Sequence, residues 1–346
     1  MRDAMINRRH NQGLTLVELM IAIVLSLILM AGATSIFMAS KQTFNLEEDV
    51  SRVQENMRYV ANRFSNDLAG AGFYGCYPSN HEGTSVVTNT VTDNGTANPS
   101  LLYDFSQVIS GVDGGVDAGG VELPDQVAVH FALPGTEVSV LTGTMNDPAD
   151  NVTVDDTSPN YSDLQQGDIV SVSDCNKLAV FLITNAPGVG GALGHNDTFS
   201  TNRGVSNHVR DLHSDSRSRV YGDIRLSTAT VYKMDAVHYE LRTVTAGGLT
   251  TSGLYATRLG DANRQLLIAG VENFQVTYGI DLNSDGTADR FVDWDIVGAA
   301  LNDVTSLHVT LTINPGDPVA QAQGRDADYT RDLEFTVKLR NRDGAI

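Results

Sequence analysis

The chain has 346 residues, a formal net charge of −19 and 41% hydrophobic residues. That composition excludes disorder over most of its length and leaves room for one large domain or two moderate ones beside any membrane segment. The acidity excludes a surface for DNA or RNA and docking of the soluble part on anionic lipid, since both need clustered Lys and Arg.

The first element is apolar. Leu19 to Ala39 contains no charged side chain, and at about 1.5 Å rise per residue it spans roughly 31 Å, the thickness of a bilayer core. Arg2, Arg8 and Arg9 outweigh Asp3 ahead of it. Positive charge stays cytoplasmic, so the C-terminal bulk is expected on the far side, the periplasm of a bacterium. Glu18 interrupts the apolar run near its start.

An ordinary signal peptide has a shorter apolar region with a small-residue cleavage site after it; here the run is long and continues straight into a helical pattern. Leu46, Val50, Val53, Met57, Val60, Phe64 and Leu68 form one apolar stripe, with steps of three and four residues that mark an amphipathic helix. Glu47, Glu48, Asp49, Arg52, Glu55, Arg58, Arg63 and Asp67 take the other positions. Ala69-Gly70-Ala71-Gly72 supplies a stop. One helix from Leu14 to Leu68 would be roughly 80 Å long.

Beyond it the pattern is that of strands. Gln126 to Ala132, Asp168 to Ser173, Leu178 to Thr184, Ala236 to Thr243 and Asn273 to Ile280 are alternating or short apolar runs bounded by turn residues. Thr305 to Ile313 and Leu333 to Leu339 alternate strictly and are expected to pair antiparallel. No helical pattern recurs between strands, which excludes a doubly wound α/β fold. Asn80 to Ser100 and the Gly/Asp-rich Ile109 to Gly120 are expected to be loops outside the core.

Gly13-Leu14-Thr15-Leu16-Val17-Glu18-Leu19, following a short basic leader, resembles the prepilin signature of type IV pilins and type II secretion pseudopilins. Leu14 stands where that family most often has Phe. The resemblance implies cleavage by a membrane aspartyl peptidase between Gly13 and Leu14, and N-methylation of Leu14. It also implies subunit docking through Thr15 and Glu18. An intramembrane carboxylate is costly unless paired; the Leu14 ammonium of a neighbouring subunit, with an unperturbed pKa of about 8, would be its partner.

Three further stretches resemble the PilW-type minor pilins: Asp67 to Cys76, Gly167 to Thr184 and Gly270 to Asp281. That resemblance implies an α+β, type IV pilin-like fold, a long N-terminal helix packed on an antiparallel sheet domain. The expected organisation is a leader over 1–13, a helix over 14–70 (14–39 transmembrane and filament core, 40–70 amphipathic) and a periplasmic β-rich domain over 71–346. The implied role is structural: a minor pilin of the tip or priming complex that starts pilus assembly, with twitching motility, adhesion and DNA uptake downstream. The implied partners are other minor pilins, the major pilin, the prepilin peptidase, the inner-membrane assembly platform and a large tip adhesin. Its location would be the inner membrane and then the pilus tip. The alternatives are a minor pseudopilin of a type II secretion system and a tip adhesin module.

Cys76 and Cys175 are the only cysteines, and in an oxidising periplasm they are expected to form a disulfide. Asp281, Asn283, Asp285, Thr287 and Asp289 read D-x-N-x-D-G-x-x-D around Gly286. Oxygen ligands at alternate positions suit Ca²⁺, and an Asx-rich turn between strands suits the same residues. The twelfth position is Val292, not Glu, with Asp293 or Asp295 as a substitute. His208, Asp211 and His213 are expected in a surface loop, and Trp294 in the core. Hydrolase, P-loop and zinc-protease motifs are absent, so no enzyme activity is expected.

Overall fold

One continuous helix, α1, runs Leu16–Gly70 in the computed structural model. The structure describes residues 15–77, 87–93, 99–143, 151–175, 177–196, 199–208, 229–246, 249–261, 263–314 and 330–342. Compactness divides the chain into residues 1–54 and 55–346. In the first unit the described residues are helical from Leu16 onward, straight through Gly32, where an added Cβ would meet nothing within 4 Å.

The second unit is built from strands around the last turns of α1. Its strands are β1 (Val87–Asn89), β2 (Val91–Thr92), β3 (Ile109–Val112), β4 (Gln126–Ala132), β5 (Val138–Gly143), β6 (Asn151–Val154), β7 (Ile169–Ser173), β8 (Leu178–Leu182), β9 (Ala192–Gly194) and β10 (Ser206–Asn207). Then come β11 (Thr230–Ala246), β12 (Leu249–Arg258), β13 (Gln265–Ala269), β14 (Val271–Ile280), β15 (Arg290–Val292), a short helix α2 (Trp294–Val297), β16 (Val304–Ile313) and β17 (Arg331–Lys338).

Strand β11 is the hub. It pairs antiparallel with β4, β5, β7 and β12 along its length, and so gathers eleven strands into one sheet. A second sheet of four strands has the order β15-β14-β16-β17. There β16 and β17 pair as their alternation requires, Leu307 opposite Val337 and Val309 opposite Phe335. The physical reason is burial: Leu307, Val309, Leu311 and Ile313 share one face of β16, and all four are buried.

The α+β layout with antiparallel sheets is as expected, and β1 beside β8 is a parallel pair within it. Three expectations need correction. The segment Asn80 to Ser100 contains β1 and β2, and Val91 is buried. Ile109 to Gly120 begins with a core strand, β3, in which Ile109 and Ser110 are buried. Gly111 belongs there because a Cβ would collide with the Tyr278 hydroxyl and come 2.8 Å from the Trp294 ring. Its glycine therefore reflects close packing rather than solvation. Finally Asp67, assigned to the polar face of the helix, is buried.

Candidate functional site

The helix start, the helix end and an acidic corner carry the polar arrangements of interest. At the start, Thr15 and Glu18 form a capping box. The Thr15 N–H and Oγ1 both donate to Glu18 Oε2, at 3.0 and 3.1 Å, and the Glu18 N–H donates back to Thr15 Oγ1 at 3.3 Å. Spacing of three between Thr and Glu satisfies the otherwise orphaned donors of a first turn. The sequence expectation paired Glu18 with a neighbouring subunit; the structure adds partners within the chain. Gly13 and Leu14 lie outside the described residues.

Leu16–Phe44 is long and apolar enough to cross a membrane, and none of it is buried. Four of its hydroxyls are spent internally: Ser26 donates to the Ile23 carbonyl at 2.8 Å, Thr34 to Met30 at 2.7 Å, Ser35 to Gly32 at 2.8 Å and Thr43 to Ala39 at 3.1 Å. Between Leu19 and Ala39 the surface left over is hydrocarbon.

At the helix end the apolar stripe meets the sheets. Val60, Phe64 and Leu68 are buried, each contributing roughly 1.5–3 kcal/mol. The Phe64 ring stacks on Tyr239 of β11 at 4.0 Å and meets Phe274 of β14 and Phe335 of β17 at 6.0 and 5.7 Å. One turn on, Asp67 Oδ2 accepts the Tyr239 hydroxyl at 2.5 Å. Arg63 Nε lies 2.8 Å from the same oxygen as an ion pair, its N–H not aligned for a hydrogen bond. Arg258 approaches Asp67 at 3.9 Å and donates from Nε to Asp235 Oδ2 at 2.6 Å. Burial, then the neighbouring Asp67 carboxylate, holds the Tyr239 phenol well above its ordinary pKa, so it stays a donor. Burial also raises the Asp235 carboxyl, against the pull of Arg258.

The C-terminal segment closes the helix. The Asn341 side-chain amide donates to the Ala71 carbonyl at 3.1 Å and lies 3.4 Å from those of Ala69 and Gly70. These are carbonyls that no further helical turn can satisfy.

Cys76 is bonded to Cys175, with an S–S distance of 2.08 Å and Cα atoms 4.8 Å apart. The bridge joins the turn after α1 to the β7–β8 connection. Gly75 beside it has φ +70°, and a Cβ there would strike the Tyr232 ring. Loop closure over 99 positions predicts that the Cys76→Ser, Cys175→Ser chain loses up to about 4.7 kcal/mol of stability. The check is the denaturation midpoint; equal midpoints for oxidised and mutant chains would rule out that contribution.

The Asp281 loop is closed by its own backbone. Asp281 Oδ1 accepts from the N–H groups of Asn283 and Ser284 at 3.1 and 2.7 Å, and Oδ2 from Gly286 at 2.7 Å. Asp289 accepts from the Leu282 N–H at 2.7 Å, and Asp285 from the Thr287 N–H at 2.8 Å. Among the described residues, the acidic trio whose carboxylate oxygens converge within 4.8 Å is another one: Asp113, Asp293 and Asp295. Of the histidine cluster, Asp211 and His213 lie outside the described residues. Trp294 packs against Tyr278 at 5.1 Å, half-buried.

The asymmetry of the chain, an exposed apolar helix opening on a capped Glu and a β-rich domain after it, is that of a membrane-anchored prepilin-like protein. Comparison with known families agrees: the Prokaryotic N-terminal methylation motif matches residues 8–34, and Type IV Pilus-assembly protein W (PilW) matches residues 238–341. The chain carries both signatures, and together they support, in general terms, a type IV pilus-associated minor pilin. No curated protein and no solved structure matches. The PilW match contains β12 to β17, Tyr239, Arg258 and Asn341, residues that bind the end of α1. Sequence reading missed this network because Asp67 and Tyr239 stand 172 positions apart; the spacing of four between Arg63 and Asp67 was its visible trace.

Proposed function

We propose that the protein is a structural subunit of the pilus tip or priming complex, inserted in the inner membrane with its β-rich domain in the periplasm and then taken up into the filament. The carrying observation is the pairing of a methylation motif over 8–34 with a helix whose apolar surface is wholly exposed over Leu16–Phe44. Among the described residues nothing in its own unit covers that surface, which suits burial in lipid or against other helices. Other minor pilins, the major pilin, the assembly platform and a large tip adhesin are the partners this reading names. Prepilin peptidase would cut between Gly13 and Leu14 and methylate Leu14. The protein itself performs no catalysis; both matched families are structural.

Intact-mass analysis of the protein from its native host is the direct test. The expected result is a mature chain beginning at Leu14 with one added methyl group. A chain retaining residues 1–13, or cut at a different position, would overturn the processing step. Counting pili in a deletion strain tests the assembly role. Normal pili together with a defect in hydrolase export would instead identify a secretion pseudopilin.

For the Asp281–Asp289 segment we propose the role of a self-closed turn between β14 and β15, supported by its backbone-to-carboxylate bonds.

A further inference from the structure

Asp113, just after β3, and Asp293 and Asp295, around the start of α2, come from the two different sheets. One carboxylate oxygen from each lies within 4.8 Å of the others. Among the described residues none of the three is ion-paired with Lys or Arg. Asp125 stands beside them, buried, with Oδ1 accepting from the Gly114 N–H and Oδ2 from the Val276 N–H of β14. Burial raises its carboxyl, and Asp113 and Asp293 add to the effect. Four carboxylates at one corner repel each other unless a cation joins them.

Tyr278 of β14 points to the same place, independently of the acids. It is 1% exposed, yet its hydroxyl makes no hydrogen bond to any described residue. A hydroxyl at the end of so buried a side chain, with no partner among the described residues, is left to bond water or a ligand at the mouth of its site. The hydroxyl sits between Gly111 and the Trp294 ring. Gly111 stands two positions before Asp113, and Trp294 stands between the two other acids. Asp125 and Asp113 both act electrostatically on this hydroxyl, which places it beside the acidic corner.

We propose that Asp113, Asp293 and Asp295 bind a calcium ion, with the Tyr278 hydroxyl donating to a liganding oxygen, and that the ion ties the eleven-stranded sheet to the four-stranded one. Carboxylates on separate segments, completed by water, suit the flexible coordination of Ca²⁺ better than the strict octahedron of Mg²⁺. The outer hydrogen bond from a buried hydroxyl is what orients a ligand in such sites. The ion site concerns the domain alone and is independent of the pilus reading.

Trp294, the only tryptophan of the chain, lies within the proposed site and gives the test. The full chain in detergent micelles at physiological salt is titrated with Tb³⁺, exciting tryptophan and reading sensitised terbium emission. The expected result is saturable emission displaced by Ca²⁺ at lower concentration than by Mg²⁺. Asp293→Asn and Asp295→Asn, both at exposed positions, should each weaken it by about tenfold or more. Tyr278→Phe should weaken it with the ring packing kept. Asp285→Asn should leave it unchanged. Absence of saturable emission, or emission indifferent to Asp293→Asn and Asp295→Asn, would overturn the proposal. Emission lost in Asp285→Asn would overturn it too, moving the ion to the Asp281 loop.

Discussion

Glu18→Ala should reduce the number of pili while leaving membrane insertion intact. Insertion depends on the apolar run from Leu16 to Phe44, which keeps its length and hydropathy in the variant. On the proposed reading, the docked subunit places a neighbour's Leu14 ammonium against this carboxylate. Removing one partner of a buried pair costs on the order of 3 kcal/mol, roughly a hundredfold in the docking equilibrium. The capping box adds a second cause, because the same side chain accepts from Thr15 at both N and Oγ1. Loss of that cap costs about 1 kcal/mol. Glu18→Gln separates the two: glutamine keeps a capping acceptor and loses the charge. If charge pairing governs assembly, Glu18→Gln will be as poor in pili as Glu18→Ala by electron microscopy. Normal piliation in Glu18→Gln would assign the residue to the helix start alone.

The second large effect is expected at Asp67. Alanine there strands the Tyr239 hydroxyl in the core and removes the counter-charge of Arg63. A stranded donor and a broken, largely buried pair together cost on the order of 3 kcal/mol. For a domain of this size that is a fall in Tm of roughly 5–10 °C. Tyr239→Phe alone should cost less, because the stack on Phe64 at 4.0 Å survives. A Tm for Asp67→Ala within a degree or so of the parent would refute the network's contribution.

Much of the architecture was readable because burial imposes a period. The stripe at Val60, Phe64 and Leu68 and the alternation of β16 and β17 are buried as their spacing requires. Strands β12 and β13 escaped notice for identifiable reasons. Strand β12 is rich in Thr, Ser and Gly, and β13 is separated from β14 only by Gly270 at φ +80°. Strand β3 was hidden by the composition of the glycine-rich run it opens. Of the sites, Gly13, Glu18 and the cysteines announce themselves by local motif or scarcity. The acidic corner could not, since Asp113 and Asp293 are joined only by sheet topology.

The bridge between Cys76 and Cys175 also has a mechanical meaning. Tension entering through α1 reaches Cys76 shortly after the helix ends at Gly70 and finds two covalent routes there. One runs along the main chain; the other crosses directly to Cys175, between β7 and β8. Residues 77–174 then hang in parallel with the load and cannot be drawn out. That withholds roughly 340 Å of extensible contour. An oxidised subunit pulled by its helix is therefore a short, stiff link, and the same subunit after reduction is a long, compliant one.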